Sequence, residues 1–191
     1  TLFTLGEHAR IQEVARALGE EELLVKREID SKLFELNRQG AYNGHIPISA
    51  FIAFLSVFVA IIHGKRDVIL SNERSANIGN VMMNGMEINH QHSKSFAFEK
   101  AFDLYVRRFV CSDIRYFSLL RPYSEFGIVE RFAARGEHFE IFSSCNKNFR
   151  LKIFPERSEA ELKGHTIRWF GACSKCLFVF SLLAAFLPKV K

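Results

Sequence analysis

The sequence predicts an α/β fold built on an open parallel sheet, and three observations carry that prediction. Leu2-Phe3-Thr4-Leu5, a helical pattern at Ile11, Val14, Ala15 and Leu18, and Leu23-Leu24-Val25 follow one another as strand, helix and strand. A further strand pattern at residues 67–70 follows an apolar segment, residues 46–62, of crossover-helix length. Behind that strand lies a dense polar stretch, residues 71–99, in the place where parallel sheets bind ligands, beyond a strand's carboxyl end.

Taken in order, the first strand stops at Gly6, and Gly19 is placed to end the first helix. Asp30 can cap a short helix carrying Leu33, Phe34 and Leu36, which Gly40 closes. Residues 42–47 read as a turn, with Pro47 positioned to open the next helix. Residues 46–62 fall short of the roughly 20 apolar residues of a membrane span and read as a buried helix. After the polar stretch, Phe98, Ala101, Phe102, Tyr105 and Phe109 recur at helical spacing. Residues 117–120 give another strand, and Ser124 can cap a helix with Glu125 in its first turn. Residues 139–142 read as a last short strand, residues 147–168 as irregular, and residues 177–187 as an apolar helix closed by Pro188. One α/β domain over residues 1–191 is expected, with residues 146–191 as a cysteine-containing helical extension.

Composition narrows the partners. The net charge of +5 comes from 26 basic and 21 acidic residues that are scattered rather than clustered, which points away from nucleic acid and membrane surfaces. A phosphate-bearing anion remains the competing reading of that balance. Phenylalanine (20 residues) far outnumbers tryptophan (one), as apolar packing requires and a base-stacking platform does not. With four cysteines and no leader pattern, reduced thiols in a cytoplasmic compartment are expected. Composition leaves the oligomeric state open.

Within the polar stretch, Glu73, Glu87, His90 and Lys94 are the candidates for acid–base chemistry. His90, between Asn89 and Gln91, is a better site residue than His92, which would face the other way in an extended chain. Lys94 precedes a helix, whose free amides and dipole attract anions. Cys173-Ser174-Lys175-Cys176 has the spacing of a metal-binding or redox pair, and Cys145 at a strand end is a third candidate ligand.

Asn72-Glu73-Arg74-Ser75-Ala76, followed by Glu87-Ile88-Asn89-His90-Gln91 and Ser93-Lys94-Ser95, resembles the signature region of the bacterial epimerases acting on UDP-N-acetylmuramoyl-L-alanyl-L-glutamate. Asn43-Gly44-His45-Ile46-Pro47, the Phe117–Pro122 corner with Ser124-Glu125, and Ser143-Ser144-Cys145-Asn146 extend the likeness along nearly the whole chain. That family resembles the PP-loop ATP pyrophosphatases and 7-cyano-7-deazaguanine synthases. The resemblance implies an adenine-nucleotide α-hydrolase fold, Rossmann-like, here without its first strand and its Gly-Gly-rich phosphate loop.

It also implies an ATP- and Mg2+-dependent inversion of the terminal glutamate through an acyl-adenylate, in peptidoglycan precursor synthesis, with the UDP-linked muramoyl dipeptide as substrate. Asn43, His45, Asn72, Asn80, Asn89, Gln91, Ser93, Ser95, Arg121 and Glu125 are then the expected substrate and nucleotide contacts. A structural zinc ion is implied on Cys145, Cys173 and Cys176, although Phe170 stands where the family has another cysteine and His165 is the nearest substitute. The 191 residues alone are expected to be inactive. An amide- or nitrile-forming enzyme of nucleoside biosynthesis, or a non-catalytic remnant, are the alternatives.

Overall fold

The computed structural model describes residues 1–42, 46–145, 168–169 and 171–187. These form mixed α/β structure in two compact units, one of residues 28–128, the other of residues 1–27 with 129–191.

In the first of these units, strands β3 (Asp67–Leu70) and β6 (Arg115–Ser118) pair in parallel, Asp67 opposite Arg115 and Leu70 opposite Ser118. Helices α3 (Ile48–Ile62) and α4 (Phe96–Phe109) pack on them. Ala53, Val57 and Ala60 of α3 meet Phe102 and Val106 of α4 and Ile114 and Tyr116 beside and within β6. The Phe102 and Tyr116 rings cross edge to face with centroids 4.7 Å apart, a geometry that adds about 1 kcal/mol to the area they bury. Ser95 caps α4, its hydroxyl accepting from Phe98 N at 3.2 Å. Asp30 caps α2 (Ser31–Arg38) as expected, accepting from Lys32 N at 2.9 Å.

Three expectations change here. Apolar on every side, α3 turns only one face inward; Phe51, Phe54 and Phe58 are exposed, because its neighbours within the unit line a single face. Strand β6 lies two residues earlier than predicted, since Arg121 N reaches Ser118 O and Tyr123 N reaches Leu120 O, coiling the chain after Ser118. The connection inside the polar stretch is a two-stranded antiparallel hairpin, β4 (Val81–Met83) and β5 (Met86–Ile88), turning on Asn84-Gly85, both in the left-handed region at φ 51° and 77°.

The second unit pairs β1 (Leu2–Leu5) with β2 (Glu22–Val25) in parallel, joined by α1 (Ala9–Leu18). Gly19 ends α1 in the left-handed conformation, its N–H reaching Arg16 O at 3.1 Å. Helix α5 (Glu125–Ala133) brings Phe132 against Phe139 and Phe142, and Phe142 meets Trp169, which meets Phe180 of α6 (Ser174–Leu183). Residues 139–142 are not a strand. Ile141 N and Phe142 N both reach His138 O at 3.1 Å, and this coiled backbone aims Phe139 and Phe142 at the same ring of Phe132. Helix α6 starts at Ser174, three residues before its predicted start, because Cys173 caps it by accepting from Cys176 N at 3.4 Å. Among the described residues, no helix is long and apolar enough to cross a membrane.

Candidate functional site

The polar stretch lies where β3 and β6 end together, and its side chains sort into two connected groups. The inner group is organised by Arg121. Nη1 of this guanidinium donates to Glu73 O at 2.9 Å, and Nη2 donates to Lys94 O and Glu99 Oε2, each at 2.8 Å. Arg121 and Glu99 side chains are 12% and 8% exposed, so this ion pair sits out of water. Ser118, the last residue of β6, donates its hydroxyl hydrogen to Glu99 Oε2 and accepts from Asn72 Nδ2 at 3.1 Å. Ser75 Oγ lies between Glu73 Oε1, at 3.2 Å, and Glu125 Oε1; with one hydrogen to give, it serves the closer Glu125.

Arg121, expected among the substrate and nucleotide contacts, ties three chain segments together through its ion pair and two backbone bonds. Ser95 likewise serves α4 as its cap. Lys94 is half-buried, and its ammonium forms no ion pair among the described residues.

The outer group surrounds the hairpin. Asn80 Oδ1 accepts from both His90 N, at 3.2 Å, and His90 Nδ1, at 2.6 Å. A carbonyl oxygen can only accept, so the bond itself places a proton on Nδ1. The neutral ring then carries its lone pair on Nε2, toward Gln91 Nε2 at 3.2 Å. Glu87 Oε1 accepts from Gly79 N at 2.5 Å. A Cβ at residue 79 would stand 2.3 Å from Glu87 Cγ, so any larger residue there would make the Glu87 side chain move. Asn89 spends both ends of its amide on backbone, donating to Ala76 O at 2.9 Å and accepting from Gln91 N at 2.8 Å. Ser93 is half-buried just before Lys94. Asn43 and His45 lie outside the described residues, as do His165 and Phe170.

Sequence reasoning missed Glu99, Ser118 and Asn77. A carboxylate one turn inside an apolar helix (Glu99), and an Asn whose Oδ1 takes Phe96 N at 2.6 Å (Asn77), were visible only as ordinary helix and loop residues. Tyr116 belongs with them: burial first, and then the Glu99 carboxylate, pushes its phenol up to about 12, while Arg121 pulls it down. Tyr116 Oη and Arg121 Nε are buried with no hydrogen-bond partner among the described residues.

In the other unit, the sulfurs of Cys145, Cys173 and Cys176 all lie within 4.8 Å of one another. The Cys145–Cys173 separation is 3.9 Å and the Cys173–Cys176 separation 3.2 Å. Tetrahedral zinc with sulfur at about 2.3 Å holds its thiolates roughly 4 Å apart, so this donor set fits three of four positions. Burial, then the Cys173 and Cys145 sulfurs, pushes the Cys176 thiol up, and a backbone bond at Gly171 opposes them. Soft donors brought together in a closed setting suit zinc better than magnesium.

Comparison with known proteins covers the whole chain. The family model described as MurL N-terminal domain matches residues 1–119, and that of the MurL C-terminal domain matches residues 141–191. A curated protein of Xanthomonas oryzae pv. oryzae, named UDP-N-acetyl-alpha-D-muramoyl-L-alanyl-L-glutamate epimerase, is 44% identical over all of this chain and 40% of its own length. Proteins of the same name from Salinispora tropica and a Micromonospora species are each 37% identical over 98% of the chain, covering 38% and 39% of their own lengths. The chain thus spans about 40% of the length of the curated relatives it matches. No solved structure matches it.

Proposed function

The chain belongs to the MurL family, and on that premise we propose that it forms part of an epimerase that inverts the terminal L-glutamate of a UDP-linked muramoyl-L-alanyl dipeptide. The observation that carries this reading is identity of 37–44% to three proteins of that name across essentially the whole chain. Such a reaction belongs to peptidoglycan precursor synthesis, and we place it on a Rossmann-like, PP-loop scaffold in the cytoplasm.

Inversion next to a carboxylate is difficult because the α-carbanion forms beside a negative charge. ATP with Mg2+ would supply the activation: the carboxylate oxygen would bond to the α-phosphorus as pyrophosphate leaves, removing that charge, and water would later release AMP to restore the carboxylate. The chain's own residues then have to take a proton from one face and return one to the other. His90, with Nδ1 held by Asn80, offers its Nε2 side as base. Glu73 and Glu87 are the second set of proton carriers, and Lys94 is the cation available to a phosphate or carboxylate.

The described residues do not by themselves make a triphosphate site. Arg121 is committed to Glu99, and one cation at an exposed edge contributes about 1 kcal/mol or less, against about 8 kcal/mol for a micromolar complex. The 191-residue chain alone is therefore expected to bind ATP weakly and not to turn over. Zinc on Cys145, Cys173 and Cys176 is assigned a structural role, closing the start of α6 onto the backbone that carries Cys145.

The test is incubation of the complete gene product with ATP, Mg2+ and UDP-N-acetylmuramoyl-L-Ala-L-Glu in deuterated water. D-glutamate carrying deuterium at its α-carbon is expected. Recovery of L-glutamate without deuterium overturns the reading.

A further inference from the structure

We propose that Arg121, Glu99 and Ser118 form a relay that fixes the polarity of Asn72, presenting its carbonyl oxygen as the acceptor for an N–H or O–H donor of the ligand. The proposal rests on the epimerase reading only for the identity of that ligand, the UDP-linked dipeptide. The relay itself follows from donor and acceptor counting.

Glu99 is an acceptor at the centre of the network. Arg121 Nη2 carries two hydrogens and has three oxygens in range, Lys94 O and Glu99 Oε2 at 2.8 Å and Ser118 Oγ at 3.4 Å. The two short contacts take both hydrogens, so Ser118 receives none of consequence from Arg121. Ser118 has one hydroxyl hydrogen, and it goes to the Glu99 carboxylate, which has nothing to donate in return. What Ser118 Oγ shows to Asn72 is therefore a lone pair. Asn72 must turn its NH2 group toward Ser118, at 3.1 Å, and this holds without any appeal to how the amide was oriented in advance. Its Oδ1 accepts no hydrogen bond among the described residues and is not sealed from solvent, on a half-buried residue two positions beyond the end of β3.

Burial makes the relay effective. Ser118 is 6% exposed and Glu99 likewise 6%, so water does not compete for these bonds, and reversing one would leave like against like. Glu99 and Ser118 act through Asn72, and all three relay members are positioning residues. Arg121 serves by keeping Glu99 an acceptor and by holding the backbone of Glu73 and Lys94 beside it.

The complete gene product, labelled with 15N-asparagine, provides the test. The Asn72 side-chain NH2 is expected to be protected from solvent exchange in the native protein and to lose that protection in Ser118→Ala. With the UDP-linked dipeptide, Ser118→Ala should raise KM up to about tenfold with a smaller change in kcat, the range of one ligand hydrogen bond. Ser118→Thr, which keeps the hydroxyl, should restore both signals. Asn72→Asp should raise KM further, because a carboxylate has no hydrogen to give Ser118. Amide protection that persists in Ser118→Ala overturns the relay, and so does an unchanged KM. If the native protein fails to epimerise, the epimerase reading falls, while the relay is decided by amide protection alone.

Discussion

Residues 71–99 contribute to two groups of donors and acceptors set in different surroundings. Around Arg121 the central partners, Glu99 and Ser118, are buried, and the bonds that join β6, α4 and the segment after β3 span elements distant in sequence. Around His90 every residue of the two hairpin strands is exposed, and the bonds join residues no more than thirteen positions apart. What differs is whether water is present to take either end of each bond. Excluded water turns a list of polar residues into a fixed arrangement, and admitted water leaves an adjustable one. The inner group is thereby suited to holding geometry and the outer one to moving protons.

That contrast is broken most directly at Arg121. Arg121→Ala leaves Glu99 buried and unpaired and should lower stability by about 3–5 kcal/mol in urea titrations, whereas Glu87→Ala in the hairpin should stay within about 0.5 kcal/mol. Equal losses for the two variants would erase the distinction.

Tyr116 sharpens the contrast by pH. Its phenol is raised to about 12 in the fold, so the unfolded chain releases this proton first, near pH 10. Stability should therefore be intact below pH 10 and fall through pH 12, by at most about 3 kcal/mol, and Tyr116→Phe should remove that fall. Because Glu99 raises the phenol, Glu99→Gln should make the loss smaller and complete it at a lower pH.

Ser95→Ala removes the cap of α4 beneath Lys94 and should cost about 1 kcal/mol, read from thermal unfolding. The smallest effect is expected at Gly79. A Cβ there meets only the movable Glu87 side chain, so Gly79→Ala should displace the carboxylate and lower stability by about 0.5 kcal/mol or less. A fall in turnover out of proportion to that loss would mark Glu87 as a group that works on the substrate.

Much of this was legible in the sequence, for reasons that particular residues make clear. Gly19, Asp30 and Ser124 are local signals: each ends or begins a helix through bonds within a few residues, and local chemistry is written locally. The cysteines were equally readable, since C-x-x-C at the start of a helix brings both sulfurs to one side and Cys145 needed only to arrive. Asn84-Gly85 was a readable hairpin signal that sequence analysis passed over. The roles of Glu99, Ser118 and Arg121 were not readable. Each depends on which groups 19, 22 or 46 positions away end up beside it, and periodicity carries no record of that. The exposed aromatic face of α3 was hidden for the opposite reason, because its composition is apolar whichever way it turns.

The pairing of β3 with β6 also sets an order in time. Asp67 and Arg115 are 48 residues apart (115 − 67), while Val81 and Ile88, which pair across the hairpin, are seven apart (88 − 81). Closing the longer loop costs more chain entropy, and the hairpin can close within about 1–10 μs of the start of folding. Ser118 reaches Glu99 only after β6 has found its place, so the relay forms after the hairpin does. Pulse-labelling hydrogen exchange during refolding should protect the amides of residues 81–88 before those of residues 115–118. The acceptor polarity of Asn72 then reports that β3 and β6 have paired.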